Sequence, residues 1–127
     1  MTTNLPVLLI VDDNRDNRTL LARRLERQSY EVITVDSGLE ALQVLGKQTC
    51  DLVLLDILMR DMDGMETLKN IRREYSLLEL PVIMVSALAE SKNIVEALQA
   101  GANDYVTKPL DIDVILARIQ TQLTLSQ

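Results

Sequence analysis

The residues in this chain best equipped for chemistry are three acids, a hydroxyl and an ammonium: Asp12, Asp13, Asp56, Ser86 and Lys108. The acid pair closes the apolar run "VLLIVDDN", and Asp56 closes a second run in "DLVLLDILMRDMDG". Ser86 ends "PVIMVSA", and Lys108 follows the short run in "DYVTKP". Clustered carboxylates repel one another, so three brought together need a cation among them or must take up a proton. Oxygen donors, in a chain with no histidine, favour a hard ion, Mg²⁺ or Mn²⁺, over zinc. A carboxylate beside such an ion can act as a nucleophile toward phosphorus. The transferred oxygens would be met by the metal, the Lys108 ammonium and the Ser86 hydroxyl. Singly, each residue has an ordinary explanation as a turn former, helix cap or surface lysine. Their coincidence at the ends of four different apolar runs argues for a site.

Convergence of these side chains requires that the runs before them be neighbouring strands. Short apolar runs recur at residues 7–11, 32–35, 52–55, 82–85 and 105–106. The first, all Val, Leu and Ile, reads as a strand buried on both faces. Between the runs lie segments with helical spacing: Leu21 and Leu25, then Leu39, Leu42 and Leu45, then Leu68 and Ile71, then Ile94 and Leu98. Ile112, Leu116, Ile119 and Leu123 line the last. Ser37 with Glu40 predicts a capping box, and Gly101 a helix-ending glycine. Strands alternating with helices imply an α/β domain, a doubly wound parallel sheet with helices on both faces. Ligands then bind outside the carboxyl ends of the strands, where these five residues fall.

Composition narrows the function classes. At 127 residues, 47% hydrophobic and 25% charged, the chain fits one globular domain. A net charge of -6 argues against gripping nucleic acid or an anionic membrane through the overall field. The arginines in "ARRLERQ" and "NIRREYS" read as solvated helix faces. Cys50, the single cysteine, excludes an internal disulfide and reads as a small apolar residue beside a strand. No run approaches the ~20 apolar residues of a membrane span, and the N-terminus lacks the pattern of a signal peptide. A cytoplasmic chain is expected.

In this order, the motifs at residues 11–14, 54–64, 85–87 and 101–109 resemble those of bacterial response regulator receiver domains, the chemotaxis-Y-like family, over nearly the whole chain. The resemblance implies a flavodoxin-like (βα)5 three-layer sandwich with sheet order 2-1-3-4-5. It implies a phosphoacceptor at Asp56 and Mg²⁺ (or Mn²⁺) ligation by Asp13, Asp56 and the Leu58 backbone carbonyl directly and by Asp12 mainly through water. Ser86 and Tyr105 would be the switch pair, Lys108 the phosphate-binding lysine, and Lys108–Pro109 a cis peptide. The implied donor is a sensor histidine kinase or a histidine phosphotransfer protein, and the role is a signalling switch rather than an enzyme acting on external substrate. Two departures stand out. Arg60 occupies a position where the family often has proline. Leu58 and Leu88, which flank the family's path for hydrolytic water, are both apolar, so a long-lived aspartyl phosphate is expected.

The domain is expected to span residues 1–127, with its core at about residues 5–124, as the N-terminal piece of a longer regulator with a C-terminal output domain. Extra apolar residues on the last helix, Val114 and Ile115, suggest a face that packs outside the domain, such as a homodimer through the fourth helix, fifth strand and fifth helix. A haloacid dehalogenase-like phosphatase would need a second acid at Leu58. A receiver-like module that works without phosphorylation would usually have lost part of the acid set or the lysine. A dinucleotide-binding domain would need a G-x-G-x-x-G after the first strand.

Overall fold

The protein, described as a computed structural model, is placed at residues 4–60 and 62–126. Strands and helices alternate: β1 (Val7–Val11), α1 (Arg15–Glu26), β2 (Glu31–Val35), α2 (Gly38–Lys47), β3 (Leu52–Asp56), α3 (Gly64–Glu74), β4 (Val82–Ser86), α4 (Ser91–Gln99), β5 (Asp104–Thr107) and α5 (Ile112–Ser126). The strands form one parallel sheet in the order β2-β1-β3-β4-β5, as the resemblance implied. Each strand contains its predicted apolar run. Four of them extend by polar residues (Glu31, Asp56, Ser86, and Asp104 with Thr107), because ladder bonding uses the main chain and tolerates any side chain at a strand end.

Alternation along the strands builds the two covering layers. Leu9, Val11, Val53, Leu55, Val82 and Met84 point to the side of α2, α3 and α4, where they meet Ala41, Leu45, Leu68, Ile71 and Ala97. Leu8, Ile10, Leu52, Leu54, Ile83 and Val85 point to α1 and α5 and meet Leu21, Leu25, Ile115, Ile119 and Leu123. Each fully buried Leu or Ile contributes about 1.5–3 kcal/mol of transfer free energy. Truncating one at the centre, Leu55→Ala for example, costs about 2–5 kcal/mol. The register sets the site: Val11 lies opposite Leu55, Asp56 opposite Val85, and Ser86 opposite Thr107. The chemically equipped residues therefore leave the sheet along one edge.

Several helix expectations need correction. Leu39 is 58% exposed, because α2 turns Gly38, Ala41 and Leu45 inward. Leu98 is 44% exposed, and α4 buries Ala97 instead. On α5, Ile119 and Leu123 are buried as expected, Ile115 joins them in the core, and Ile112 and Leu116 are only partly buried against it. Ser37 caps α2 by accepting from the Glu40 amide at 3.1 Å. The neighbouring Asp36 carboxyl is the main reason Glu40 titrates above its ordinary value. Cys50 is buried beside β3, and burial pushes its thiol up to about 11.

Arg72 departs furthest from the solvated role expected of it. Its guanidinium donates to the carbonyls of Gly101 (2.7 Å), Leu80 (2.9 Å), Ser76 (3.2 Å) and Tyr75 (3.3 Å) and to Asn103 Oδ1 (2.8 Å). Asn103 Oδ1 also accepts from the Val82 amide, so one group ties the ends of α3 and α4 to the starts of β4 and β5. Gly101 adopts φ 114°, and a Cβ there would lie 2.8 Å from Arg72 Cγ. The turn thus needs glycine for conformation and for the close approach.

Candidate functional site

The β1–α1 turn presents the acid pair. Asp12 is 3% exposed, and its amide donates to the Val35 carbonyl at 3.2 Å. Its carboxylate accepts from the Asn14 amide (2.8 Å) and Asn17 Nδ2 (3.4 Å), and its carbonyl accepts from Arg18 Nη1 (2.7 Å). Asn14 also caps α1 by accepting from the Asn17 amide at 3.0 Å. Asp13 is half-buried and faces Arg60, whose Nε stands 3.9 Å from Asp13 Oδ2.

Asp56, the last residue of β3, is 4% exposed. Its Oδ1 accepts from the Leu58 amide at 3.3 Å, and its Oδ2 accepts from Lys108 Nζ at 3.1 Å. Lys108 Nζ also stands 3.8 Å from Asp12 Oδ2, so one ammonium bridges two buried carboxylates. The loop after Asp56 folds back tightly: the Gly64 amide donates to the Ile57 carbonyl at 2.8 Å, and a Cβ on Gly64 would lie 2.6 Å from Ile57 Cα. Glycine there lets α3 start against the main chain of Asp56.

Ser86 is fully buried at the end of β4, and its carbonyl accepts from the Lys108 amide at 2.8 Å. Its hydroxyl accepts from the Leu88 amide at 3.1 Å. Tyr105, on β5, is half-buried and donates its hydroxyl to the Leu88 carbonyl at 2.6 Å. Leu88 is therefore held on both sides of its main chain by the two residues named as a switch pair. The Lys108–Pro109 peptide is cis. Leu58 is 54% exposed at the mouth of the site, whereas Leu88 is partly buried against the core.

The electrostatics fit a cation. Carboxylate oxygens of Asp12, Asp13 and Asp56 lie within 4.8 Å of one another. Burial pushes the Asp56 carboxyl above its ordinary value and the Asp12 charge adds to this, while the Lys108 hydrogen bond pulls the other way. Such a carboxylate gains from a hard divalent ion, and an all-oxygen set suits Mg²⁺ or Mn²⁺. Arg18, Asn14 and Asn17, which shape the turn, were not picked out by sequence reasoning. Only the Asn at the helix start carries a recognisable capping signal.

The family model for the response regulator receiver domain matches residues 8–120. The chain belongs to that family. The receiver is 41% identical over 120 residues to transcriptional regulatory protein ZraR of Klebsiella oxytoca, covering 94% of this chain and 25% of that protein. It is 38% identical over 119 residues to transcriptional regulatory protein AfsQ1 of Streptomyces coelicolor, covering 94% and 52% respectively. Its backbone superposes on the CheY-like receiver domain protein of Methanospirillum hungatei with a TM-score of 0.90 at 31% identity, covering 97% of each chain. The receiver thus spans between a quarter and about half of these two curated relatives. It is a member of a signalling family rather than a conventional enzyme, and among the described residues no helix is long and apolar enough to cross a membrane.

Proposed function

We propose that this receiver accepts a phosphoryl group on Asp56 in a Mg²⁺-dependent reaction and relays the event through the surface of α4, β5 and α5. The observation that carries the reading is Lys108 Nζ standing between the buried carboxylates of Asp56 and Asp12, with Asp13 completing an oxygen-only set. A carboxylate oxygen of Asp56 attacks phosphorus of a phosphohistidine on a sensor kinase or histidine phosphotransfer protein. The P–N bond breaks and the imidazole nitrogen keeps the electron pair. Asp12, Asp13, Asp56 and the Leu58 carbonyl would hold the metal, which supplies charge neutralisation at the transferring oxygens. Lys108 neutralises one further oxygen, and the Ser86 hydroxyl turns from the Leu88 amide to bond another.

Turning Ser86 releases one side of Leu88, whose carbonyl holds the Tyr105 hydroxyl. The added charge at Asp56 thereby biases a two-state element near α4. Val95, Leu98 and Val114, all more than 40% exposed, give this face an apolar character suited to a second copy or an output domain. Working from the cytoplasm, the receiver would control such an output. The phosphatase reading is disfavoured because Leu58 takes the place of its second acid.

The test is incubation with acetyl phosphate and Mg²⁺, or with a kinase, followed by intact-mass analysis, with Asp56→Asn as control. One phosphoryl group on the wild type and none on the variant is expected. Absence of modification by either donor would instead support a module that signals without phosphate. Beryllofluoride then tests whether the activated form dimerises.

A further inference from the structure

We infer that Arg18 is a positioning residue for the acid pair: by holding the Asp12 carbonyl it fixes the turn that aims Asp12 and Asp13 at the cation. The inference rests on the metal-site reading above. Arg18 is the fourth residue of α1, where the helix dipole disfavours a cation. Arg23 and Arg24, in the last turn of the same helix, sit where the dipole favours them. Arg18 is therefore misplaced by the helix rule, and its partner explains the placement. Its Nη1 reaches back six residues to the Asp12 carbonyl at 2.7 Å, the short distance of a charge-assisted bond.

That bond closes a turn already tied elsewhere. The Asp12 amide is held by β2 through Val35, the Arg18 amide donates to the Asn14 carbonyl at 3.1 Å, and the Asn14 amide returns to Asp12 Oδ1 at 2.8 Å. With both main-chain groups of Asp12 occupied, the residue has little freedom to turn its carboxylate away from Asp56. Arg60 carries the same charge near the same acids but is built differently. Its side chain is 86% exposed, and among the described residues its one ion pair is with the side chain of Asp13, at 3.9 Å. It competes with a cation and positions nothing.

The two arginines therefore give opposite signs. Charge alone predicts that removing either one tightens Mg²⁺ binding, since each is a positive charge beside the site. Positioning predicts that Arg18→Gln weakens it by about tenfold, the lower end of losses caused by disturbing groups that orient metal ligands. Arg60→Gln should tighten it by about twofold, the scale of an exposed ion pair.

Calorimetric titration of Mg²⁺ into wild type and both variants reads these affinities directly. Amide hydrogen exchange of the metal-free proteins supplies the second readout. The Asn14 amide should exchange faster in Arg18→Gln and unchanged in Arg60→Gln. Should Arg18→Gln lack a cooperative melting transition, Arg18→Met, which keeps the aliphatic stem, takes its place. Mg²⁺ affinity in the Arg18 variant equal to or tighter than wild type, with an unchanged Asn14 amide, overturns the inference. A wild type that binds no Mg²⁺ sinks the metal-site reading instead, and the Asn14 amide still decides the role of Arg18.

Discussion

Replacing Lys108 by methionine removes the one ammonium between two buried carboxylates while keeping a stem of similar length. Asp12 and Asp56 are 3% and 4% exposed, so neither recovers much hydration when the charge is lost. Removing one partner of a fully buried pair costs about 3–5 kcal/mol, and a surface pair contributes about 0–1 kcal/mol. The Lys108 side chain is 24% exposed, and its contacts are 3.1 and 3.8 Å, which places this case between the two. A loss of about 2 kcal/mol is expected for the metal-free protein at neutral pH, a fall in Tm of about 8 °C for a domain of this size.

Urea unfolding in the presence of a chelator measures the loss. Two dependences identify its cause. Added Mg²⁺ should close most of the gap, because a cation again stands among the acids. Lower pH should close it too. Asp56 already titrates above its ordinary value, through burial opposed by Lys108; without the lysine its pKa rises further. A raised folded-state pKa favours the folded form on the acid side, so the deficit is largest at neutral pH. It shrinks as pH falls through the raised Asp56 pKa toward the usual carboxylate range. A variant as stable as wild type in chelator, or a deficit indifferent to both Mg²⁺ and pH, would refute this account.

Asp13→Ala should keep the fold and lose Mg²⁺-dependent phosphorylation, checked by circular dichroism beside intact mass; undiminished Mg²⁺-dependent labelling would count against the site. Ser86→Ala should still be phosphorylated on Asp56, with a much smaller phosphorylation-dependent change in the NMR signals of Tyr105 and α4. With Leu58 and Leu88 flanking the site, the phosphorylated form should persist well beyond seconds in purified protein, and Leu58→Asn should hydrolyse faster; loss of label within seconds in the wild type contradicts this. Arg72→Met strips a half-buried set of charged hydrogen bonds and should cost about 2–4 kcal/mol by urea unfolding, with acetyl phosphate labelling of Asp56 retained in the folded fraction.

The sheet was legible because its strands are nearly continuous apolar runs, and the acids, hydroxyl and lysine stand where those runs stop. Helix faces were read less well. Leu39 and Leu98 satisfy helical spacing yet point outward, because small residues, Ala41 and Ala97, occupy the tight contacts with the sheet. Spacing rewards large apolar residues and overlooks alanine. Arg18 and Arg72 were passed over for a related reason. An arginine on a helix reads as solvated, and only the fold reveals that a carbonyl six residues back, or one from a turn 29 residues on, lies within reach of its guanidinium. The hydrogen bond from the Tyr105 hydroxyl to the Leu88 carbonyl was likewise illegible, because 17 residues separate the two in sequence.

The acceptors gathered by Arg72 are all neutral, and among the described residues no carboxylate forms an ion pair with it. Burial lowers its pKa, yet an arginine stays charged across any physiological range. Its grip on α3, α4 and β5 is therefore blind to acidity and to divalent ions, the two variables to which the acid pocket responds most. The molecule keeps an ion-indifferent keel beneath an ion-sensitive deck. If the receiver cycles between cation-free, cation-bound and phosphorylated forms, as proposed above, its upper edge would change without loosening the frame that carries it.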